Sequence, residues 1–342
     1  MSPPEGDGPP LDAPTAAPAP ARPPLTVGYW LSSEEHGPRD LVAHGVRAEE
    51  VGFTTAMISD HFQPWVRRQG QAPFVWTVLG ALLQATERLE VGTGVSAPML
   101  RISPLVLAHA GATTAALAPG RVFVSVGTGE RLNEQVTGRR WPAIAERRAV
   151  LEEAVGVIRR LWDGETVHHR GEHVQVEGAH LYTRPDVPPP LLVAASGRQG
   201  AELAGRIGDG LVGVTSDAGV VQVFEASGGR GKRRHGQIHV CWAEDHAAAR
   251  RTAFEWWPQA AVAAPLLPEL ARPHDFEAAV AEVTEEQVAR QVVCGPAPEA
   301  HLAAIARFVG AGYDHVYVHQ VGPDQEGFFR FYERAILPAL AR

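Results

Sequence analysis

The sequence is poor in cysteine, in basic residues and in long apolar runs. Its 342 residues include two cysteines, Cys241 and Cys294, which are too few for a disulfide-stapled scaffold and are typical of a reducing compartment. Lysine and arginine number 31 against 39 acidic residues, a net charge of −8, so the basic footprint of a nucleic-acid-binding protein is missing. No run approaches the roughly 18 consecutive apolar residues of a membrane span. We therefore expect a cytoplasmic protein that binds neither nucleic acid nor membrane.

Proline is concentrated at the N-terminus, where the first 24 residues hold nine of the 28 prolines. The same stretch carries Glu5, Asp7 and Asp12 where a secretory signal would be basic, and it has no apolar centre. We interpret residues 1–24 as a disordered, polyproline-like tail. The folded domain, residues 25–342, is expected to begin near Leu25.

Beyond the tail, short apolar runs alternate with amphipathic helical patterns. The runs are rich in Val, Ile, Leu and Phe, as parallel strands covered by helices on both faces are. The eight predicted strands are Leu25–Trp30, Thr55–Ser59, Leu89–Val95, Arg121–Gly127, Leu191–Ala195, Gly210–Thr215, Gln237–Ala243 and His315–Gln320. Eight strand–helix repeats without a second break in composition favour one α/β domain, a (β/α)8 TIM barrel, over two doubly wound domains.

Two segments depart from the repeat. Residues 168–182 alternate in polarity around Gly171 and predict a hairpin outside the barrel, an excursion over about 166–184. Residues 258–286 contain helical pieces interrupted by prolines. Long loops in a compact domain are usually functional or disordered, so this insertion is expected to form a lid near the active end.

Acidic residues and a histidine follow the predicted strands. In a barrel the active site lies at the C-terminal ends of the strands, and these ends hold Glu34, Asp60, His61 and Glu130. Histidine is the usual proton carrier near neutral pH. Strands three to five end in glycines and other small residues, which let backbone amides approach a flat or anionic ligand. The pattern predicts a proton shuttle beside a bound ring system.

Other motifs are weak. Gly127–Gly129 lacks the third glycine of a dinucleotide fingerprint, and Gly228–Arg234 lacks the Ser or Thr of a P-loop. We interpret the latter as a solvated basic loop. His168, His169 and His173 are interpreted as surface residues rather than metal ligands, since neighbours on a strand point to opposite faces. No metal site is expected.

Several motifs together resemble the luciferase-like oxidoreductases, and more closely the branch that contains F420-dependent glucose-6-phosphate dehydrogenase. The motifs are Ser59–Trp65 (SDHFQPW), Gly92–Val95 (GTGV), Val126–Glu130 (VGTGE) with Asn133, and Ala204–Gly210 (AGRIGDG). The similarity runs from about Leu25 to the C-terminus. It implies a TIM barrel of the luciferase-like type with insertions, usually a homodimer, that binds the deazaflavin coenzyme F420. The implied reaction is hydride transfer between the deazaflavin and an alcohol or carbonyl group of a small molecule.

The resemblance also implies residue roles. His61 would take the substrate hydroxyl proton, Glu130 would serve the proton at the ring's other reactive position, and Trp65 and Glu34 would orient and polarise around His61. A cis peptide at Gly94–Val95 would back the ring. The implied cofactor contacts are Asp60, Gly94, Val95, Ala97, Gly127, Gly129, Glu130, Asn133, Ala195, Ser196 and Gly197. The implied substrate contacts are Thr215, Trp257 and Gln291.

The sequence departs from the sugar-phosphate members of this family. They hold the phosphate with basic side chains at positions that align with Asp217, Leu267 and Gln291 here. Lys232–Arg234 or Arg290 are the basic residues that could compensate. We therefore expect a dehydrogenase or reductase for a less polar alcohol, ketone or enone rather than glucose 6-phosphate. An FMN-dependent monooxygenase on the same barrel and a non-catalytic flavin-binding protein are the alternatives.

Overall fold

Eight parallel strands close into a barrel at the centre of the protein. The computed structural model describes residues 24–341, so the tail predicted for residues 1–24 lies, except for Pro24, outside the described residues. The strands are β1 (Thr26–Leu31), β2 (Thr55–Ile58), β3 (Glu90–Thr93), β4 (Val122–Val126), β5 (Val167–Arg170), β6 (Gln175–Ala179), β7 (Leu191–Ala194), β8 (Gly210–Gly213), β9 (Arg233–Cys241), β10 (Val293–Cys294) and β11 (His315–Gln320). The barrel order is β1-β2-β3-β4-β7-β8-β9-β11, and β11 pairs with β1. The predicted (β/α)8 TIM barrel is confirmed.

Helices follow the strands and cover the outside of the barrel. They are α1 (Pro38–Val51), α2 (Val75–Ala85), α3 (Pro104–Leu117), α4 (Arg131–Glu134), α5 (Ile144–Trp162), α6 (Arg198–Ile207), α7 (Ala218–Phe224), α8 (His246–Trp256), α9 (Pro273–Ala279), α10 (Glu285–Ala289), α11 (Pro298–Ala311), α12 (Gln325–Phe331) and α13 (Leu337–Leu340). Among the described residues, no helix is long and apolar enough to cross a membrane. Two elements lie outside the repeat: β5 and β6 form an antiparallel pair, and β10 pairs with β9.

The barrel interior is filled by large side chains from alternating strand positions. Trp30, Met57, Phe123 and Tyr317 form one buried cluster there, because successive residues of a strand point to opposite faces. Gly92 leaves the space that the Phe123 ring occupies, since a Cβ on Gly92 would lie 2.2 Å from that ring. The interior is therefore a packed core that forms the floor of the open, C-terminal end.

Strand β9 begins earlier than the sequence predicted, at Arg233 rather than Gln237. Its basic start is paired with protein groups: Lys232 Nζ donates to two backbone carbonyls, Arg233 binds Glu90 at 2.7 Å and Arg234 binds Asp314 at 2.8 Å. The interpretation of this segment as a solvated basic loop was therefore wrong. Because these cations lie at the N-terminal end of β9, they are at the barrel end opposite the predicted site.

Candidate active site

His61 lies directly after β2, between two carboxyl groups. Its Nε2 is 3.4 Å from Glu34 Oε1 and 3.6 Å from Glu130 Oε2. Its Nδ1 is 3.0 Å from the carbonyl oxygen of Gln63. A carbonyl can only accept, so Nδ1 carries the proton of the neutral ring. Nε2 then holds a lone pair, as a general base requires.

Glu34, in the segment after β1, is the buried member of the pair. Its carboxylate accepts hydrogen bonds from the Ser59 hydroxyl and from Trp65 Nε1, the latter at 3.1 Å. Burial alone would raise the pKa of Glu34, but attraction to His61 and the bond from Ser59 outweigh it and lower that pKa. Glu34 is thus held ionised beside His61, where it stabilises a positive charge on the imidazole.

Glu130 precedes α4, and its carboxyl group approaches the same ring nitrogen of His61, Nε2. Its side chain keeps 36% of its surface accessible. Desolvation of the carboxyl raises the pKa of Glu130, and the neighbouring Glu34 adds to the increase, although His61 opposes it. The environment therefore shifts the pKa values of Glu34 and Glu130 in opposite directions, which is a pattern typical of acid–base pairs in active sites.

Asp60 and Arg101 form a buried ion pair beneath this group. The Asp60 carboxylate accepts from the Ser96 hydroxyl and from Arg101 Nη2, the latter at 2.8 Å. Arg101 also lies 3.9 Å from Glu134, whose carboxylate accepts the backbone N–H groups of Leu100 and Arg101. Both Asp60 oxygens are thus occupied by protein donors, and the pair fixes the ends of β2 and β3 relative to each other. Sequence reasoning missed Arg101, since the loop after β3 gave no signal for an ion pair.

A shelf of small residues lies at the ends of β3 and β4, and β3 is the neighbour of β2, the strand that precedes His61. The Gly94–Val95 peptide bond is cis. A Cβ on Gly94 would lie 2.4 Å from the Trp30 ring, and one on Gly127 would lie 2.9 Å from Val95 Cγ2. Neither position has room for a larger residue. We call the surface formed by Gly94, Val95, Gly127 and Gly129 the glycine shelf.

The other predicted cofactor residues surround this shelf. Asn133 Oδ1 accepts from the backbone N–H groups of residues 62 and 63, at 2.9 and 3.4 Å, so its amide holds the loop that carries His61. Ala97 is buried against Gly129, which has a positive φ of 70°. Ala195 is buried, whereas Ser196 and Gly197 are exposed at the start of α6.

The three predicted substrate residues differ in exposure. Thr215 is exposed beyond β8, and Gln291 is exposed beyond α10. Trp257 is buried, with its ring centroid 4.4 Å from that of His319. Among residues 24–341, no side-chain hydrogen bond joins Thr215 or Gln291 to the His61 group.

A second carboxylate–histidine array was missed. Glu35 Oε2 is 2.6 Å from His319 Nε2, and His319 Nδ1 is 2.9 Å from His239 Nδ1. The sequence of β11 contained a signal for this array. His319 lies two residues beyond Tyr317, so its side chain is on the same interior face of the strand.

The loop after β2 is attached to the segment 258–286. Trp65 packs on Phe276 with ring centroids 5.2 Å apart, and Arg67 forms a two-pronged ion pair with Glu277, the closest contact being 2.6 Å. The Gln69 side chain accepts from Trp65 N–H and donates to the carbonyl of residue 256. The position of Trp65 beside His61 therefore depends on this segment.

Comparison with known proteins shows the family of the chain. The luciferase-like monooxygenase family model matches residues 24–315. The chain belongs to this family. It is 38% identical over 332 residues to an F420-dependent glucose-6-phosphate dehydrogenase of Intrasporangium calvum, covering 92% of this chain and 99% of that protein. A similar enzyme of Microbacterium testaceum is 36% identical, with coverage of 93% and 98%. The resemblance stated from the motifs is thereby confirmed.

A solved structure supports the same assignment to the family. An F420-dependent secondary alcohol dehydrogenase in complex with an F420-acetone adduct superposes with a TM-score of 0.86 at 29% identity. The match covers 93% of this chain and 99% of that one. The luciferase-like chain described here therefore shares nearly the whole length of that enzyme's fold.

Proposed function

We propose that this protein is an F420-dependent oxidoreductase that transfers a hydride between the deazaflavin and the carbinol or carbonyl carbon of a small molecule. The observation that carries the proposal is His61 Nε2 with its lone pair, held between Glu34 and Glu130 at 3.4 and 3.6 Å. The relatives named as F420-dependent dehydrogenases support the same chemistry and the same coenzyme.

The residues present fit a flat ring system. The glycine shelf presents backbone rather than large side chains, because Gly94 and Gly127 pack so closely on Trp30 and Val95 that neither has room for a Cβ. Ser196 and Gly197 are exposed and directly precede α6. The first N–H groups of a helix favour anionic groups. We infer that the shelf holds the deazaflavin ring and that this helix start holds an anionic part of the coenzyme.

The role of each residue follows from whether its side chain can accept or donate a proton. The deazaflavin, when bound, supplies the hydride acceptor or donor. His61 Nε2 takes the hydroxyl proton of an alcohol, and the resulting imidazolium is stabilised by ionised Glu34. Trp65 donates to Glu34 and packs on His61, with ring centroids 4.7 Å apart, so it orients both. Glu130, whose pKa is raised, is suited to deliver a proton on the shelf side.

Glucose 6-phosphate is a poor fit for this chain. Asp217 caps α7 by accepting from the N–H of residue 219, and Leu267 and Gln291 bring no charge. Lys232–Arg234 are paired at the other end of the barrel, and Arg290 is bound to Glu286 at 2.6 Å. We propose that the substrate is an alcohol, ketone or enone less polar than a sugar phosphate.

Fluorescence titration of the purified protein with F420, with FMN in parallel, tests the coenzyme assignment. We expect tight F420 binding and weak FMN binding, followed by a change in deazaflavin absorbance with members of an alcohol panel. Preferential FMN binding with oxygen consumption would instead assign the protein to the monooxygenases. Coenzyme binding with no turnover of any kind would favour a carrier.

We further propose a cytoplasmic homodimer. The free thiols Cys241 and Cys294 suit a reducing compartment. Helices α2 and α3 contain no Lys, Arg, Asp or Glu, in a chain that is 20% charged. Val106 and Leu117 of α3 are each 53% exposed. Such an apolar face is typical of a protein–protein interface.

Sedimentation velocity tests the dimer. The variant carrying Val106→Glu and Leu117→Glu should sediment as a monomer, while the native chain sediments as a dimer. Tyr182→Glu is the matched control, since Tyr182 is also apolar and 93% exposed but lies beyond the hairpin of β5 and β6. A monomeric native chain would overturn this proposal, as would a double variant that remains dimeric.

A further inference from the structure

Two histidine systems are attached to neighbouring residues of one segment. Glu34 lies 3.4 Å from His61, which the proposed mechanism uses. Glu35 binds His319, which in turn contacts His239, and this second array has no role in that mechanism. Glu35 and His319 side chains are both fully buried. A charged group at such depth is costly unless it is paired, so the array needs an explanation.

The hydrogen-bond order assigns one nitrogen of each ring as the donor when each ring carries one proton. The Glu35 carboxylate accepts from the N–H of Gly322 at 2.9 Å and from His319 Nε2 at 2.6 Å. When His319 carries a single proton and donates it to the Glu35 carboxylate, its Nδ1 holds a lone pair. The 2.9 Å contact between the Nδ1 atoms therefore requires that His239 donates from its own Nδ1, which leaves a lone pair on His239 Nε2.

His239 remains neutral at physiological pH. Desolvation, with a further contribution from His319, lowers the pKa of His239 to about 3. A neutral ring with its proton on Nδ1 can accept a hydrogen bond at Nε2 but cannot donate one there.

That acceptor faces the open end of the barrel. His235 packs on Phe123 and Tyr317 in the interior, and His239 lies four residues further along β9, on the same face and closer to the C-terminal end. His239 is partly exposed, whereas His319 behind it is fully buried. No hydrogen bond from His239 Nε2 to another residue within 24–341 is formed. The Trp257 ring stands beside it, with centroids 5.4 Å apart.

We propose that His239 Nε2 accepts a hydrogen bond from a second hydroxyl of the substrate, so that the preferred substrates are neutral diols or polyols. This deepens the proposed function and rests on it. A lone pair attracts an O–H donor, whereas it repels phosphate oxygens, which are acceptors themselves. Trp257 supplies an apolar wall next to that hydroxyl. Glu35 and His319 are positioning residues that hold the acceptor form of His239.

The protonation pattern can be measured without coenzyme or substrate. Nitrogen-15 NMR of the full-length protein at pH 7, with His239 assigned by its loss in His239→Gln, should show a neutral ring protonated on Nδ1. A ring protonated on Nε2, or a charged ring, overturns the proposal by itself. Because this measurement does not involve F420, it is independent of whether the proposed function holds.

Substrate selection is the second test. Cyclohexanol, the three cyclohexanediol isomers and their monomethyl ethers are compared by F420 reduction, together with the acyclic series 2-butanol, 2,3-butanediol and 3-methoxy-2-butanol. We expect at least one diol to exceed both its mono-alcohol and its ether in kcat/KM, since the ether oxygen cannot donate. His239→Leu should lower that preference about tenfold, mainly through KM, because one hydrogen bond of about 1.4 kcal/mol is lost. His239→Gln, which keeps an acceptor oxygen, should restore part of it.

Controls separate the two proposals. His168→Leu removes an exposed histidine of the hairpin and should leave the diol preference unchanged. F420 affinity should be the same in the native chain and both His239 variants. Turnover of the mono-alcohols with no diol preference, or a preference that His239→Leu leaves intact, refutes the role of His239 alone. Absence of F420 binding refutes the proposed function instead.

Discussion

Replacement of His61 by alanine isolates the proposed base from the rest of the site. Its ring lies against Glu34, Glu130, Trp65 and the Gln63 carbonyl. After the substitution Glu34 keeps its bonds from Ser59 and Trp65, so the loop should hold its place. A positioned general base contributes about 10²–10⁴-fold, or about 3–5 kcal/mol in activation free energy.

We therefore expect His61→Ala to lower kcat for alcohol oxidation by about 10²–10⁴-fold while the Kd for F420 changes only a few fold. Deazaflavin absorbance under saturating alcohol gives kcat, and fluorescence titration gives Kd. His61→Gln is the control, because it keeps polarity and bulk without a basic nitrogen, and it should be equally slow. Turnover comparable to that of the native chain in either variant would refute the assignment of His61 as the base.

Four further predictions test the surroundings of His61. Arg101→Met leaves the Asp60 carboxylate buried without its partner and should lower the free energy of unfolding by about 3–5 kcal/mol in urea titrations. Gly127→Ala places a methyl group against the shelf and should weaken F420 binding at least about fivefold without unfolding, as measured by fluorescence. Glu130 has a raised pKa, so it stabilises the fold below its ordinary pKa, and this contribution is lost as pH rises through the raised pKa. Between the ordinary and the raised pKa, Glu130→Gln should therefore gain stability relative to the native chain. Glu34 has a lowered pKa, so Glu34→Gln should be less stable than the native chain above the ordinary pKa of Glu34. The difference in stability should shrink as pH falls through the lowered pKa. Urea unfolding measured as a function of pH checks the predictions for Glu130 and Glu34.

The strand pattern could be predicted because buried parallel strands are continuous apolar runs. Every barrel strand but one lies within a few residues of its predicted position. The exception, β9, begins with Arg233 and Arg234, which a local pattern assigns to solvent. Their acidic partners Glu90 and Asp314 are distant in sequence, so only the closed barrel shows that the charges are neutralised.

The candidate site was predictable where chemistry and strand ends coincide, as for His61 and Glu130. The carboxylate–histidine pairs, which depend on the direction of each side chain, could not be predicted. Adjacent Glu34 and Glu35 are indistinguishable in the sequence, yet one binds His61 and the other binds His319. Whether Thr215 or Gln291 reaches a substrate depends on groups far along the chain, and the motifs carry no information about them.

The attachment of the loop after β2 to the segment 258–286 has a consequence for how this fold can be recombined. Arg67 and Glu277, and Gln69 with the backbone of residue 256, join stretches that are about two hundred residues apart in the chain. A chimaera that exchanges 258–286 alone would separate Arg67 from Glu277 and release Trp65 from Phe276, while the bond from Gln69 to residue 256 would stay behind. The unit that can be exchanged between related barrels is therefore discontinuous and consists of 65–69 together with 255–286. Substrate specificity should be transferred only when both segments are exchanged together.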